Sequence, residues 1–366
     1  MKVNYYSIGK DFKRIEKFFF HKAKSLLYSG NYILGKNLLN FESNIKKLLK
    51  CKYVLGVANG TDALELSLIA LKLPKGSEVI TTSNTFVSTV NSIINVGCKP
   101  VFADVDDTLN IDPKKIESLI TSKTSAIIPV HLNGMPCCML KINEIAKKYK
   151  LKIVEDCAQS ILSKYNDKFI GSSNNICCFS LHPTKNLGGI GDGGFITTNN
   201  KLYYNRIKVL RNHGIFHRDK VKFAGRNSRL DEINALILNL KIKYLKEDTE
   251  RKINIAKIYS KNLSEEILKP NLGCCKGIVH TYHRYVVRVK NRKQLIKYLK
   301  KNNIDVKVHY ETSLHKNKFL QKFLNKNNNL NITNIFSREI LSLPINSFLT
   351  DKQIYYCIKI INKFYQ

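Results

Sequence analysis

The stretch from Ile153 to Thr197, IVEDCAQSILSKYNDKFIGSSNNICCFSLHPTKNLGGIGDGGFIT, constrains the fold of this chain more than any other. Ile153 and Val154 end a short apolar run that stops at the acidic pair Glu155-Asp156, and a second run, Ile176 to Phe179, stops at Ser180. Both read as buried strands. In an open α/β sheet the ligand crevice lies beyond the carboxyl ends of the strands, so Asp156, Ser180 and the loop that follows share one pocket. Lys185 sits in that loop. Asn186-Leu187-Gly188-Gly189 and then Gly191-Asp192-Gly193-Gly194 follow it, backbone that turns tightly and admits a ligand closely.

A carboxylate and a lysine at two strand ends, with a hydroxyl beside them, are the parts that a pyridoxal phosphate site requires. The lysine amine bonds to the cofactor, the carboxylate keeps the pyridine nitrogen protonated, and hydroxyl and backbone donors hold the phosphate. Spacing alone leaves a plainer alternative open, because in a lysine-rich chain Lys185 also reads as a solvated loop residue.

A chain of 366 residues exceeds what one core usually serves, which implies a large domain with a smaller companion. Lys+Arg of 61 against Asp+Glu of 28 gives +33, a balance that ordinarily suggests nucleic acid, an anionic membrane or an acidic small molecule. Here the excess is mostly lysine scattered among Asn and Ile, whereas nucleic-acid readers favour arginine and gather it on one face. A compositional bias is the simpler explanation, and neither nucleic acid nor membrane is expected as a partner. Ten cysteines include the pairs Cys137-Cys138, Cys177-Cys178 and Cys274-Cys275, with no CxxC or Cys/His spacing suited to zinc, so no metal is expected. They read as small buried residues with free thiols in a reducing cytosol. The N-terminal segment lacks the apolar core of a signal peptide, and no apolar run approaches the ~18 residues of a membrane span. A cytoplasmic protein is expected.

Residues 11–50 carry apolar positions at helical spacing, broken at Gly30 and Gly35, which predicts two helices and a turn. VLGVANGTDALELSLIALKL predicts a strand, a turn at Asn59-Gly60 and a helix opening at Thr61-Asp62. Its free N–H groups with a cap hydroxyl make an anion site, or simply a capped helix. Residues 78–112 predict strand, loop, helix, strand and acidic turn, with Phe86 at the helix start as core residue or ligand shelf. SAIIPVHLNG and NEIAKKYKL add a strand and a helix, and the βαβαβ succession indicates a mostly parallel sheet. AGRNSRLDEINALILNL reads as a Gly turn entering a long helix that bridges to the second domain, with Asn227 a candidate cap. Farther on, HTYHRYVVRV reads as an alternating strand, RKQLIKYLKKNNI as a helix and VKVHYETSLH as a strand entering a loop. TDKQIYYCIKIINKFY reads as a helix capped by Thr-Asp, and the Asn-rich residues 316–331 as a surface segment at the mouth of the pocket.

The wording of the motifs is more specific than their spacing. EDCAQ at 155–159, SLHPTKNLG at 180–188 and GDGG at 191–194, in this order, resemble the DegT/DnrJ/EryC1/StrS family of sugar aminotransferases. The resemblance runs from GNYILGKNLLNFE near Gly30 through GVANGTDALELSL at 56–68 to LSLPINSFLTDKQI at 341–354, nearly the whole chain. It implies a fold-type I, aspartate aminotransferase-like α/β architecture: a large, mostly parallel sheet domain over residues 1–245 and a smaller C-terminal α+β domain over 246–366. It implies pyridoxal 5'-phosphate as cofactor and transfer of an amino group, with glutamate as donor, to a nucleotide-linked keto-sugar. The sugar class is a 3- or 4-keto-6-deoxy hexose destined for surface glycans or glycoconjugates. By the same resemblance Lys185 bonds to the cofactor and carries protons, Asp156 pairs with the ring nitrogen, and Gln159 contacts the ring hydroxyl. Phe86 stacks on the ring face, and Gly60, Thr61 and Ser180 hold the phosphate. Asn227 reaches across a homodimer interface to the other subunit's cofactor phosphate, so that the two active sites are shared. Two positions depart from the family pattern: Cys138 precedes Met139 where an Asp is common, and Ser228 stands where an aromatic is usual. Alternative readings are a sugar dehydratase of the same lineage, which has histidine in place of the lysine, and a non-catalytic basic protein that binds nucleic acid.

Overall fold

The computed structural model describes residues 1–273, 277–324 and 330–366. The Cys274-Cys275 pair and positions 325–329 of the Asn-rich segment lie outside the described residues. Helices α1 (Ile8–Lys13), α2 (Glu16–Ser29) and α3 (Lys36–Leu49) precede the sheet, one more than the spacing suggested because a turn separates the short α1 from α2. The strands β1 (Tyr53–Val57), β2 (Glu78–Thr82), β3 (Lys99–Ala103), β4 (Thr124–Ile127), β5 (Lys152–Asp156), β6 (Ile176–Ser180) and β7 (Gly194–Thr198) form one seven-stranded sheet in the order β1-β7-β6-β5-β4-β2-β3. Only β7 runs against its neighbours, β1 and β6.

The unbroken apolar runs follow from burial of both faces. Ile153, Cys177 and Phe179 pack with α3, α6 (Met139–Lys148) and α8 (Glu232–Lys241), while Val154, Ile176 and Cys178 pack with α4 (Gly60–Leu71), α5 (Val87–Asn95) and α7 (Lys201–Leu210). Cys177 and Cys178 thus point to opposite faces of one strand, and both are free thiols.

A second core gathers around a two-stranded antiparallel ladder, β8 (Tyr285–Arg288) with β9 (Ile340–Leu343). Tyr259 of α9 (Leu245–Asn262), Leu295 of α10 (Arg292–Lys301) and Ile354 of α12 (Asp351–Phe364) fill it, and α11 (Asn331–Glu339) leads into β9. Helix α12 has the expected cap, the Thr350 hydroxyl accepting from the Gln353 N–H at 3.3 Å. Val3 from the other end of the chain also enters this core. Its N–H donates to the Asn303 carbonyl at 2.9 Å and its carbonyl accepts from the Asp305 N–H at 2.9 Å, while the Gln353 amide donates to the Lys2 carbonyl at 3.1 Å.

Two elements differ from expectation. The bridging helix is not one long helix: α8 has ten residues, the chain turns at 242–244, and α9 continues for eighteen. The turn lets Leu245 stay in the sheet core while Ile255, Ala256 and Tyr259 enter the second. VKVHYETSLH is not a strand; Lys307 makes a single bridge to Ser342, and the rest crosses to the end of β2. There the Leu314 N–H donates to the Ser83 carbonyl at 3.1 Å, and His315 Nδ1 lies 2.7 Å from the Ser83 hydroxyl.

Candidate active site

Asp156 and Ser180 are the last residues of parallel neighbours β5 and β6, which brings both to one rim of the sheet. Asp156 is only 5% exposed. Its Oδ2 accepts from Thr89 Oγ1 of α5 at 2.8 Å and its Oδ1 from the Ala158 N–H at 3.1 Å. Among the described residues it has no ion pair, and a buried carboxylate so placed favours a cation beside it.

Lys185 is held on a tight loop. Its N–H donates to the His182 carbonyl, the Leu181 N–H to Gly193 and the Gly189 N–H to Leu181, each at 2.8 Å. A Cβ at Gly188 would lie 2.8 Å from the Pro183 carbonyl carbon, so no larger residue fits there. The loop is tied to the helices behind it, Lys241 Nζ donating to the Gly188 carbonyl and Lys252 Nζ to Asn186 Oδ1, both at 2.8 Å. Burial, then the Arg284 guanidinium, push the Lys185 amine down from 10.5 to about 7, with the Asp156 carboxylate opposing them. The amine is therefore substantially uncharged near neutral pH. A small cavity of about 80 Å³ adjoins Lys185, lined among others by Tyr5, Tyr6, Ser7, Lys252 and His283.

The N-terminus of α4 completes the rim. The cap is the Asn59 side chain, accepting from the Asp62 N–H at 2.7 Å, and not a hydroxyl as the sequence suggested. Thr61 Oγ1 donates instead to the Ser88 hydroxyl at 2.9 Å. Gly60 packs so closely that a Cβ there would stand 2.9 Å from Ser180 Cβ. Gly60, Thr61 and Ser180 therefore meet at the positive end of a helix, where an anion is stabilised.

Phe86, 54% exposed at the start of α5, has its ring 6.1 Å from the Tyr310 ring. Gln159 is buried, its Oε1 accepting from the Asn133 N–H at 2.8 Å and from Arg284 Nη1 at 3.2 Å, its Nε2 donating to the Tyr310 hydroxyl at 3.4 Å. Asn227 stands apart from this network. It is exposed, its backbone bridges to Asn212, and among the described residues its side chain has no hydrogen bond. It caps no helix, since Asp231 is the N-cap residue of α8. Ser228 is fully buried and accepts from the Ala58 N–H at 3.2 Å, next to the Asn59 cap. Cys138, the other departure, is the N-cap residue of α6.

Sequence reasoning missed Thr89, Tyr310 and Arg284. The only available signal was an arginine directly before the apolar run Tyr285-Val286-Val287, where the side chain is 7% exposed. His131, Glu155 and Cys157 also cluster, their ligand atoms within 4.8 Å of one another. Both ring nitrogens of His131 are engaged, Nδ1 accepting from the Cys137 N–H and Nε2 meeting Glu155, each at 3.0 Å. Burial drives the Cys157 thiol well above its ordinary value. This is a structural pair that braces the EDCAQ turn.

Residues 13–362 match the DegT/DnrJ/EryC1/StrS aminotransferase family, and the chain belongs to it. Over 341 residues, 93% of both chains, it is 40% identical to the dTDP-3-amino-3,6-dideoxy-alpha-D-galactopyranose transaminase of Aneurinibacillus thermoaerophilus. It superposes with a TM-score of 0.96 on the X-ray structure of S. venezuelae DesV, 30% identical, covering 99% of this chain and 98% of that one. The TM-score is 0.91 with NtdA of Bacillus subtilis with bound cofactor PMP, 28% identical, covering 98% and 84%.

Proposed function

We propose that this chain is a pyridoxal phosphate-dependent aminotransferase that moves an amino group from glutamate to a nucleotide-linked keto-sugar. One observation carries the reading: a lysine amine set near neutrality, and a buried carboxylate without an ion pair, lie beside the anion-binding end of α4. The donors fit the cofactor part by part. Gly60, Thr61 and Ser180 would hold its phosphate, Phe86 its ring face, Gln159 its ring hydroxyl and Asp156 its ring nitrogen. When bound, the cofactor supplies an electron sink for negative charge at the carbon next to the transferred nitrogen.

The chain's own residues do the rest. Thr89 and the Ala158 N–H fix the Asp156 carboxylate, which would hold the proton on the cofactor's ring nitrogen by charge. Lys185, whose amine burial and Arg284 keep largely uncharged, would hold the cofactor covalently and, once released from it, would take and return the proton at the reacting carbon. The presence of Lys185 disfavours the dehydratase alternative. The Aneurinibacillus relative, named for a dTDP-linked 3-amino-3,6-dideoxy sugar, supports a 3-keto-6-deoxy hexose as acceptor.

The functional unit is a homodimer with shared sites. Phe18, Phe20, Leu27 and Tyr28 of α2 are exposed, Tyr28 by 82%, an apolar surface that a second copy would cover. The exposed Asn227 is then free to serve the partner subunit's phosphate site. No described helix is long and apolar enough to cross a membrane, and the free thiols suit a reducing cytoplasm.

The direct test incubates cofactor-loaded protein with glutamate and a panel of dTDP- and UDP-linked 3- and 4-keto sugars, reading amino-sugar nucleotide by mass. Borohydride treatment beforehand should fix the cofactor on Lys185. Absence of any amino-sugar product, or an adduct on a different lysine, would overturn the reading.

A further inference from the structure

The loop after Lys185 is gripped by two further lysines. Lys252 of α9 donates from Nζ to Asn186 Oδ1, and Lys241 of α8 to the Gly188 carbonyl, both at 2.8 Å. Their own anchoring differs. Lys241 Nζ reaches Asp11 Oδ2 at 2.5 Å, whereas Lys252 has no ion pair among the described residues. The acids near Lys252 are already taken by Arg14, which holds both oxygens of Asp248 at 3.0 and 2.6 Å and Asp11 Oδ1 at 3.1 Å. The Lys252 amine is left to Asn186.

Asn186 collects contacts from the second core as well. Its Oδ1 lies 3.3 Å from His283 Nδ1, and its Nδ2 donates to the Thr281 carbonyl at 3.3 Å. Thr281 and His283 are buried on the segment that enters β8. Of the three contacts, the one from Lys252 is the shortest. Lys185, Asn186 and Lys252 all line the cavity of about 80 Å³ already described, and the two amines in it are set apart. Burial pushes Lys252 down from 10.5 only to about 8, because Asp248 and Asp11 favour its charge, whereas Lys185 falls to about 7. Between these values one lysine is mostly uncharged and the other mostly an ammonium. A charged donor makes the stronger hydrogen bond.

We propose that Lys252 is a positioning residue for the transamination, acting through Asn186 to fix the placement of the Lys185 amine. The proposal rests on the aminotransferase reading above. Asn186 is joined to Lys185 by one peptide unit, so a shift of its side chain is passed directly to the residue that bonds the cofactor and moves the proton. A misplacement of about 1 Å in such a group can cost roughly 100-fold in rate.

Steady-state turnover of the holoenzyme with glutamate and a keto-sugar nucleotide is the first test. Lys252→Met should lower kcat by about 10- to 100-fold with KM for each substrate within about threefold, and Lys252→Arg should restore most of the loss. Asn186→Ala should lose at least as much, and the double variant no more than Asn186→Ala alone, because both changes break one chain of contacts. A second readout needs no turnover. Covalent capture of pyridoxal phosphate by cofactor-free Lys252→Met should slow by about tenfold at pH 7, with its pH midpoint still near 7, since burial and Arg284 set that value. Borohydride should still fix the adduct on Lys185.

Wild-type kcat and capture rate in Lys252→Met, or losses that add in the double variant, overturn the proposal. A raised KM with unchanged kcat overturns it too and makes Lys252 a substrate contact. Loss of the adduct in Lys252→Met does the same, because Lys252 would then be the bonding amine. If Lys252→Met does not fold, Lys252→Gln carries the same comparison, with Lys252→Arg as its rescue. A wild-type protein that converts no keto-sugar nucleotide brings down the aminotransferase reading itself. An active wild type with an indifferent Lys252→Met brings down the role of Lys252 alone.

Discussion

The charge on Lys185 is set by its surroundings before any cofactor arrives. An ordinary lysine is protonated until about pH 10.4 and captures an aldehyde slowly at neutrality. With the amine lowered to about 7, the protonated form dominates only below that value. Covalent capture of pyridoxal phosphate by the apoprotein should therefore accelerate from pH 6 to 8 and level off above, which stopped-flow absorbance would show; a midpoint near 10 contradicts the burial argument. Asp156→Asn should still bind cofactor yet lose several powers of ten in turnover, roughly 4 kcal/mol or more, because a neutral amide cannot hold the ring proton by charge. Near-normal turnover in that variant removes Asp156 from the mechanism. Both residues were legible in the sequence because each stands where an apolar run gives way to polar loop. Arg284 and Thr89 were not, since the alternation of HTYHRYVVRV and the helical spacing after Phe86 already accounted for the segments that hold them. A side chain recruited across a gap of 125 positions, as Arg284 is by Gln159, leaves no trace in local pattern.

Helix α4 shows the same division at the next scale. Its start was correctly placed beside Asn59-Gly60, but a hydroxyl was expected to cap it, and only the fold shows the Asn59 amide in that place. Asn59→Ala should cost about 1 kcal/mol of stability, read as a lower urea midpoint of the apoprotein, and should weaken cofactor retention because the same turn presents Thr61. An unchanged midpoint would show the cap to be idle. The strands of the sheet were readable because burial on two faces writes an unbroken apolar run. Residues 306–315 alternate equally well, yet their partners are Ser83 and Ser342 in place of a ladder. The break between α8 and α9 was invisible, with neither glycine nor proline among residues 241–246 to announce it. Two separate cores impose that turn, and a core is not a local property.

For the whole molecule, we propose a division close to residues 245 and 246, where Leu245 packs on the sheet and the rest of α9 turns to the second core. The shared-site homodimer makes a quantitative demand. If Lys185→Ala and Asn227→Ala chains are each inactive, mixing and refolding them yields heterodimers with one doubly damaged site and one intact site. About half of random dimers are mixed, so activity should recover to about one quarter of wild type. No recovery despite demonstrated heterodimers would return Asn227 to its own chain. The pairing of the first residues with the last elements also sets a timetable. A ribosome adds about 5–20 residues per second from the N-terminus, and Lys2 and Gln353 are 351 positions apart, so Val3 and Lys2 emerge tens of seconds before their partners exist. The sheet, whose strands lie between Tyr53 and Thr198, can close on the ribosome in that interval. The second core, and the wall that Tyr5, Tyr6 and Ser7 form beside Lys185, must wait for segments as far along as α12, so the pocket beside Lys185 is completed after the sheet that carries it.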